Sequence, residues 1–333
     1  MIISRTPFRI SFFGGGTDYP VWYQEHEGAV LATTINKYCY LSVRYLPPFF
    51  DYKSRIVWSK IELVKDVAEI QHPSAKATLE FLEINRGIAL HHDADLPARS
   101  GLGSSSTFTV GLLHSLYGLK GMLASKQQLA LDAITIEQKI LNESVGCQDQ
   151  IMAAHGGFNR INFQGENQFH LTPIILPQER LNALQDHLLL FYTGLVRTAS
   201  DIAKEQIEKT KDKTAELKTM YQMVGEAIRL LTGNADLVQF GKLIGESWKL
   251  KRSLTGKISN AAIDESYDAA LKAGAIGGKI LGAGGGGFLL LFAKPEMHSG
   301  IKEALKHLLH VPFRFENLGS QLIYREADGV GAA

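Results

Sequence analysis

Three stretches of this 333-residue chain set glycine beside hydroxyl or carboxyl groups in a way that suits phosphate chemistry. The densest is Gly101-Leu102-Gly103-Ser104-Ser105-Ser106, which runs directly into the apolar-periodic residues Phe108, Val110, Leu112, Leu113 and Leu116. That is the pattern of a glycine turn feeding a helix N-terminus. Glycine lets the backbone approach a ligand, the first-turn N–H groups lack intrahelical partners, and the positive end of the dipole faces the same way. The serines can cap the helix, bond a phosphate or ligate a metal. An ordinary serine-capped loop is the plain alternative. The Gly-x-x-x-x-Gly-Lys-[Ser/Thr] signature of Walker-type ATPases occurs nowhere. Gly282, Gly284 and Gly287 do satisfy Gly-x-Gly-x-x-Gly, but they lead into the strand-like Phe288–Phe292 instead of a helix, so a dinucleotide fold fails on context.

The second stretch is Gly14-Gly15-Gly16-Thr17-Asp18-Tyr19-Pro20, where consecutive glycines suit backbone touching a ligand and Asp18 suits hydroxyl binding. A cap for a helix beginning near Pro20 is the simpler role for Asp18. Asp149, in Gly146-Cys147-Gln148-Asp149-Gln150, has the same two readings. Glu137 falls close to the apolar face (Leu129, Ala133, Ile136, Ile140) of a helix capped by Ser125, an odd place for an unpaired carboxylate.

The elements that must position these groups read as strands over 1–13 and within 29–64, a helix over 73–86 and a strand over 88–92. The loop helix and the Ser125 helix follow. A boundary is expected around Pro173–Pro177, dividing the chain into 1–175 and 176–333. Beyond it the pattern gives a strand at His187–Thr193, mostly helix over Ala199–Leu231, and helices near 235–250 and 260–273. Strand 288–293, helix 296–309 and terminal strands near 311–316 and 320–325 complete an α+β layer with helices on one face of an antiparallel sheet. With 35 basic and 34 acidic residues, no nucleic-acid or membrane-surface footprint is expected. Cys39 and Cys147 form no metal or redox spacing, and neither a secretory leader nor an apolar run of membrane-spanning length is read, so a cytoplasmic protein is expected.

Taken together, Pro7-x-Arg9…Gly14-Gly15-Gly16-Thr17-Asp18-Tyr19, Pro97-x-x-x-Gly101-Leu102-Gly103-Ser104-Ser105-Ser106 and Lys279-x-x-Gly282-Ala283-Gly284-Gly285-Gly286-Gly287 closely resemble, in order and spacing, the three motifs of the GHMP small-molecule kinases. The resemblance implies a two-lobed α+β enzyme, with a ribosomal-S5-like N-terminal domain, a ferredoxin-like C-terminal domain and an ATP site between them. It implies that Gly101–Ser106 cradle ATP, that Ser105 and Glu137 hold Mg²⁺, that Asp149 is the catalytic aspartate and that Arg9 is its basic partner. Asp149 could act as general base or only orient the hydroxyl. Gly15, Gly16, Thr17 and Asp18 of the first motif, with Gly284 and Gly285 of the third, would line the substrate.

Galactokinases carry a Glu-His pair before Thr-Asp-Tyr, where this chain has Gly15-Gly16, which argues against galactose. The first motif, the Asp149 turn, Gly156-Gly157-Phe158-Asn159 and Ile258-Ser259-Asn260 look most like the kinases that phosphorylate the anomeric hydroxyl of D-glycero-D-manno-heptose 7-phosphate, for nucleotide-activated heptose synthesis. L-Fucose 1-kinases are the next likeness, and a catalytically silent sugar or nucleotide sensor is a third reading. A phosphorylated sugar needs further cations. Arg197, then Arg160, Lys279 and Arg252, are the candidates. A homodimer is left open.

Overall fold

In the computed structural model, which describes residues 1–165, 168–195 and 199–326, the organising element is strand β1, Ile2–Phe13. Its first residues alternate in burial, but Phe8–Phe13 are buried on both faces because helices cover the strand from two sides. Strand β2, Gly28–Tyr45, runs antiparallel along all of β1, from Ile2 opposite Val43 to Phe13 opposite Leu31. The register shifts at Pro7/Phe8, where proline has no N–H for the ladder, and again between Ser11 and Phe13.

The remaining strands are β3 (Ser54–Val57), β4 (Ile61–Val64), β5 (Ile88–Ala94), β6 (Phe158–Gln164), β7 (Gln168–Pro173), β8 (Leu188–Tyr192), β9 (Gly277–Ile280), β10 (Phe288–Phe292), β11 (Leu309–His310), β12 (Phe315–Glu316) and β13 (Gln321–Arg325). The first sheet has the order β13-β1-β2-β5-β3-β4, with β12 and β6 also on β2 and β7 on β6. Among the described residues, only β3 and β5 pair in parallel. The second sheet, β11-β8-β10-β9, is antiparallel throughout. Numbered within the lobe its order is 4-1-3-2, with helices between its first and second strands and between its third and fourth. That is the ferredoxin-like split β-α-β arrangement.

The helices that matter for the site are α1 (Pro20–Tyr23), α2 (Pro73–Phe81), α3 (Ser104–Leu119), α4 (Lys126–Ile134), α5 (Gln148–His155), α6 (Gln178–Asp186), α7 (Ala199–Glu208), α8 (Thr214–Thr232), α9 (Leu237–Leu254), α10 (Ala261–Lys272) and α11 (His298–Ala304). Helix α3 is apolar on nearly every side, as its sequence requires, and packs on β1, β2, α2, α4 and α5. Helix α4 continues without a break into a π-helical turn, Thr135–Ile140.

Two expectations change. The helical stretch over 199–231 is two helices separated by a short 3₁₀ turn at Thr210–Lys213. The terminal strands do not extend the second sheet: β12 pairs with β2, and β13 pairs with Ile2–Arg5 of β1. A division at residue 175 therefore assigns to the second lobe a segment that completes the first sheet.

The two layers meet through aromatic rings. Phe12 lies 5.7 Å from Phe158 and 5.7 Å from Phe240 of α9, and Phe240 lies 6.0 Å from Phe292 of β10. Phe12→Ala should therefore cost about 3–5 kcal/mol. Urea unfolding checks this, and a loss below about 1 kcal/mol would show that the contact does not join the layers.

Candidate active site

Strand β1 delivers Arg9 to the middle of the molecule, where its guanidinium is 4% exposed. Nε and Nη2 donate to Oδ1 and Oδ2 of Asp149, each at 2.7 Å, and Nη1 donates to the Gly101 carbonyl at 2.8 Å. The fork geometry of guanidinium and carboxylate makes this a strong, directional pair. Asp149 sits at the start of α5 and makes no cap there; the N-cap is Cys147, which forms no side-chain cap bond. The aspartate side chain is 26% exposed against 5% for the arginine, so the arginine backs the pair and the carboxylate faces outward. Gln148 donates to Asp149 Oδ1 at 3.2 Å and accepts from the Ser11 hydroxyl at 2.7 Å.

The Asp149 carboxylate looks onto the start of α3. Gly103 is the N-cap, at φ 80°, and a Cβ there would stand 3.2 Å from Asp149 Oδ2. No side chain caps this helix end, so its first N–H groups stay available for an anion. Leu102 is fully buried, and its carbonyl accepts from the Arg9 N–H at 3.2 Å. Ser104 shapes the loop, its hydroxyl accepting from the Arg99 N–H at 3.0 Å.

The third glycine loop closes against the second. A Cβ on Gly282 would be 2.5 Å from the Gly101 Cα, and one on Gly287 would be 2.2 Å from the Ser100 carbonyl oxygen. Gly284 and Gly285, expected at the substrate, pack on Ile258: the Gly285 N–H donates to the Ile258 carbonyl at 2.8 Å, and a Cβ on Gly284 would be 2.7 Å from that oxygen.

In the first loop, Asp18 is 7% exposed, and its Oδ1 accepts from the Gly16 N–H at 2.9 Å. It does not cap α1, whose N-cap is Tyr19. Burial raises its carboxyl above the ordinary range and nearby Asp149 adds to the rise, while the Gly16 N–H opposes it. Gly146 must be glycine, because a Cβ there would fall 2.0 Å from Asp18 Oδ2. Gly15 is half-buried beside this turn. Thr17 serves the turn and not a ligand: its buried hydroxyl donates to the Gly14 carbonyl at 2.8 Å and the Ala29 carbonyl at 2.9 Å.

Glu137 lies within the π-helical turn, fully buried. Its Oε2 accepts from Ser106 Oγ at 2.8 Å and Gln150 Nε2 at 2.5 Å, while Oε1 has no partner among the described residues. The expected companion Ser105 is exposed in the first turn of α3, and its neighbour Ser106 donates to the glutamate. One helical residue turns a side chain by about 100°, which decides between adjacent serines. A hard cation such as Mg²⁺ binds through one or two carboxylates, waters and ligand phosphates. An orphaned carboxylate oxygen and a hydroxyl beside an anion-binding helix end fit that donor set.

Of the other cations considered from sequence, Lys279 is 2% exposed and donates to the Phe12 carbonyl at 2.9 Å. Arg252 pairs with Asp264 at 2.9 Å, and Arg160 donates to Asn162 at 2.7 Å. Arg197 lies outside the described residues. The sequence reading passed over Lys251 of α9, which is 5% exposed and donates to the Gly282 carbonyl. Its neighbours Lys249 and Arg252 make the segment look like an ordinary basic helix face, and only the packing of α9 singles it out. A surface cavity of ≈ 360 Å³ borders His155, at the opposite end of α5 from Asp149, and includes none of these groups.

An arginine-clamped carboxylate facing an uncapped helix N-terminus, with a metal-competent glutamate nearby, has the make-up of a phosphoryl-transfer centre. Comparison with known proteins agrees. The profile "GHMP kinases N terminal domain" matches residues 62–157, and "GHMP kinases C terminal" matches 226–309. The chain belongs to the GHMP kinases and is an ATP-dependent kinase. It is 28% identical to a D-glycero-alpha-D-manno-heptose 7-phosphate kinase from Campylobacter jejuni, over 92% of this chain and 93% of that one. An L-fucokinase/L-fucose-1-P guanylyltransferase from Bacteroides fragilis is 27% identical over 88% of this chain, which spans only 35% of that longer protein. In fold it is similar to the crystal structure of a D-glycero-D-manno-heptose 1-phosphate kinase from Bacteroides thetaiotaomicron, with TM-score 0.81, 22% identity and coverage of 98% and 100% of the two chains.

Burial pushes the Glu137 carboxyl from 4.5 up to about 7, against the lowering by its hydrogen bonds. The folded protein thus holds this proton more tightly than the unfolded chain. Its stabilising effect is complete below 4.5 and is lost as pH rises to about 7. Glu137→Gln, neutral throughout, should gain on the wild type across that window, by up to roughly 3 kcal/mol. Melting temperatures of the metal-free proteins against pH check it; a constant difference between the two would remove Glu137 from the buried position.

Proposed function

We propose that this kinase transfers the γ-phosphoryl group of ATP to the anomeric C1 hydroxyl of a sugar, D-glycero-D-manno-heptose 7-phosphate, giving the 1,7-bisphosphate. The observation that carries the chemistry is the Arg9–Asp149 pair, whose exposed carboxylate edge faces Gly103 at the head of α3. The substrate rests on the near full-length similarity to the Campylobacter kinase. It also rests on the Gly15-Gly16 sequence, which leaves more room before Asp18 than a Glu-His pair would.

In this reading the Gly101–Ser106 turn and the first N–H groups of α3 hold the nucleotide phosphates. Glu137 and Ser106 would hold Mg²⁺, which would supply charge neutralisation at the phosphates. Asp18, its Oδ1 fixed by the Gly16 N–H, accepts a sugar hydroxyl. Asp149, fixed in orientation by Arg9, accepts the hydrogen bond of the attacking C1 hydroxyl and takes its proton. The sugar oxygen bonds the γ-phosphorus as the bond to the bridging oxygen of ADP breaks. Such chemistry needs positioning and charge neutralisation more than covalent help. The similarity to the fucokinase portion of the Bacteroides fragilis protein supports a second reading, an unphosphorylated L-fucose-type acceptor on the same catalytic groups.

A coupled ADP-release assay over heptose 7-phosphate, mannose, fucose, galactose and homoserine, with phosphorus NMR of the product, separates these readings. Turnover confined to the heptose phosphate with new phosphate at C1 is expected. Turnover only on a plain sugar would discard the second phosphate. Asp149→Asn should lower kcat by roughly 10²–10⁴-fold with ATP affinity nearly unchanged. Near-wild-type turnover would remove Asp149 from its role.

A further inference from the structure

Lys251 is a buried cation that the proposed chemistry leaves unexplained and that reaches a glycine loop of the site. It projects from α9, is 5% exposed, and reaches the Gly282 carbonyl of the third glycine loop. Gly282 is the residue that touches Gly101, whose own carbonyl is held by Arg9 at 2.8 Å. The two glycine loops thus meet back to back, each with a carbonyl bound by a buried cation from a different lobe. An ammonium has three N–H donors. The Gly282 carbonyl is the acceptor it reaches among the described residues, so two donors remain in a place closed to bulk water. Charge points the same way. Both Asp149 oxygens are taken by Arg9 and Asp18 Oδ1 by the Gly16 N–H, so among the described residues the Lys251 ammonium is paired with a carbonyl and with no carboxylate. A buried, incompletely bonded charge is costly unless a partner of opposite sign completes it.

We propose that Lys251 is the second cation of the phosphate site: it holds the third loop on the second through Gly282 and gives its remaining N–H donors, alongside Arg9, to nucleotide phosphates seated at the Gly101–Ser106 turn. This rests on the reading that ATP binds at the Gly101–Ser106 turn. Because it concerns the nucleotide alone, it is tested without any sugar acceptor, and a wrong choice of sugar leaves the test intact.

The experiment is calorimetric titration of a nonhydrolysable ATP analogue and, separately, of adenosine, into wild type, Lys251→Met and Lys249→Met. Lys249 is exposed on the same helix. The expected result is a loss of about tenfold or more in analogue affinity for Lys251→Met, as for a charged hydrogen bond. Adenosine affinity should be unchanged, and Lys249→Met should match wild type. Unchanged analogue affinity, or an equal loss for adenosine, would overturn the proposal. Should Lys251→Met give no cooperative melt, the wild type decides. Burial brings the Lys251 ammonium down to about 8, with Arg9 acting in the same direction and Asp18 and Asp149 opposing. Lys279, also beside it, is held well below its ordinary value by burial. Analogue affinity should therefore fall as pH rises through about 8 while adenosine affinity stays flat; a flat analogue profile would equally overturn the assignment.

Discussion

A planar guanidinium can satisfy a carboxylate and a carbonyl at once only if both lie close to its plane, along its N–H directions. Arg9 does this with three of its donors, two on Asp149 and one on Gly101. That single demand fixes the distance from β1 to the start of α5 and to the second glycine loop. Burial of Arg9 at 4% exposure makes the demand strict, since an unpaired buried charge would be strongly destabilising. The surrounding glycines follow from it. Gly103 leaves room for the Asp149 carboxylate, Gly146 leaves room for that of Asp18, and Gly101 and Gly282 let two backbones touch.

Around this centre the molecule separates two kinds of polar group. Thr17, Ser104 and Gly285 hold loop shape through bonds to backbone. Glu137 and Lys251 are buried yet incompletely bonded within the protein. Groups of the second kind sit under local cost, and such cost concentrates where a ligand completes the bonding. The π-helical turn that carries Glu137 belongs to the same pattern, since such widened turns recur at functional sites.

Much of this was legible in the sequence, because glycine clusters and misplaced carboxylates report a local requirement. Gly101-Leu102-Gly103, Asp149 and the out-of-place Glu137 are of that sort. What the sequence could not carry was rotation and long-range placement. Ser105 and Ser106 are the same residue type one step apart, and only the phase of α3 selects Ser106. Lys251 resembles the exposed Lys249 until α9 is packed. Thr17 has the same composition whether it faces a ligand or closes its own turn. The strand character of 321–325 was plain, but its partner, at the other end of the chain, was not.

That last pairing bears on how the protein is made. Ile2 lies opposite Arg325, and Phe315 and Glu316 lie on β2, so the first sheet stays unfinished until the segment 315–325 has been made. Until then the outer side of β1 is an unpaired edge over Ile2–Arg5, of the kind that invites association with other chains. Pairs so far apart in sequence form late, because the closure entropy of the whole intervening chain must be overcome first. The second lobe, whose four strands lie between Leu188 and His310, can assemble earlier. The second sheet can thus be finished while the first still waits for β13 to cover the strand with which it began.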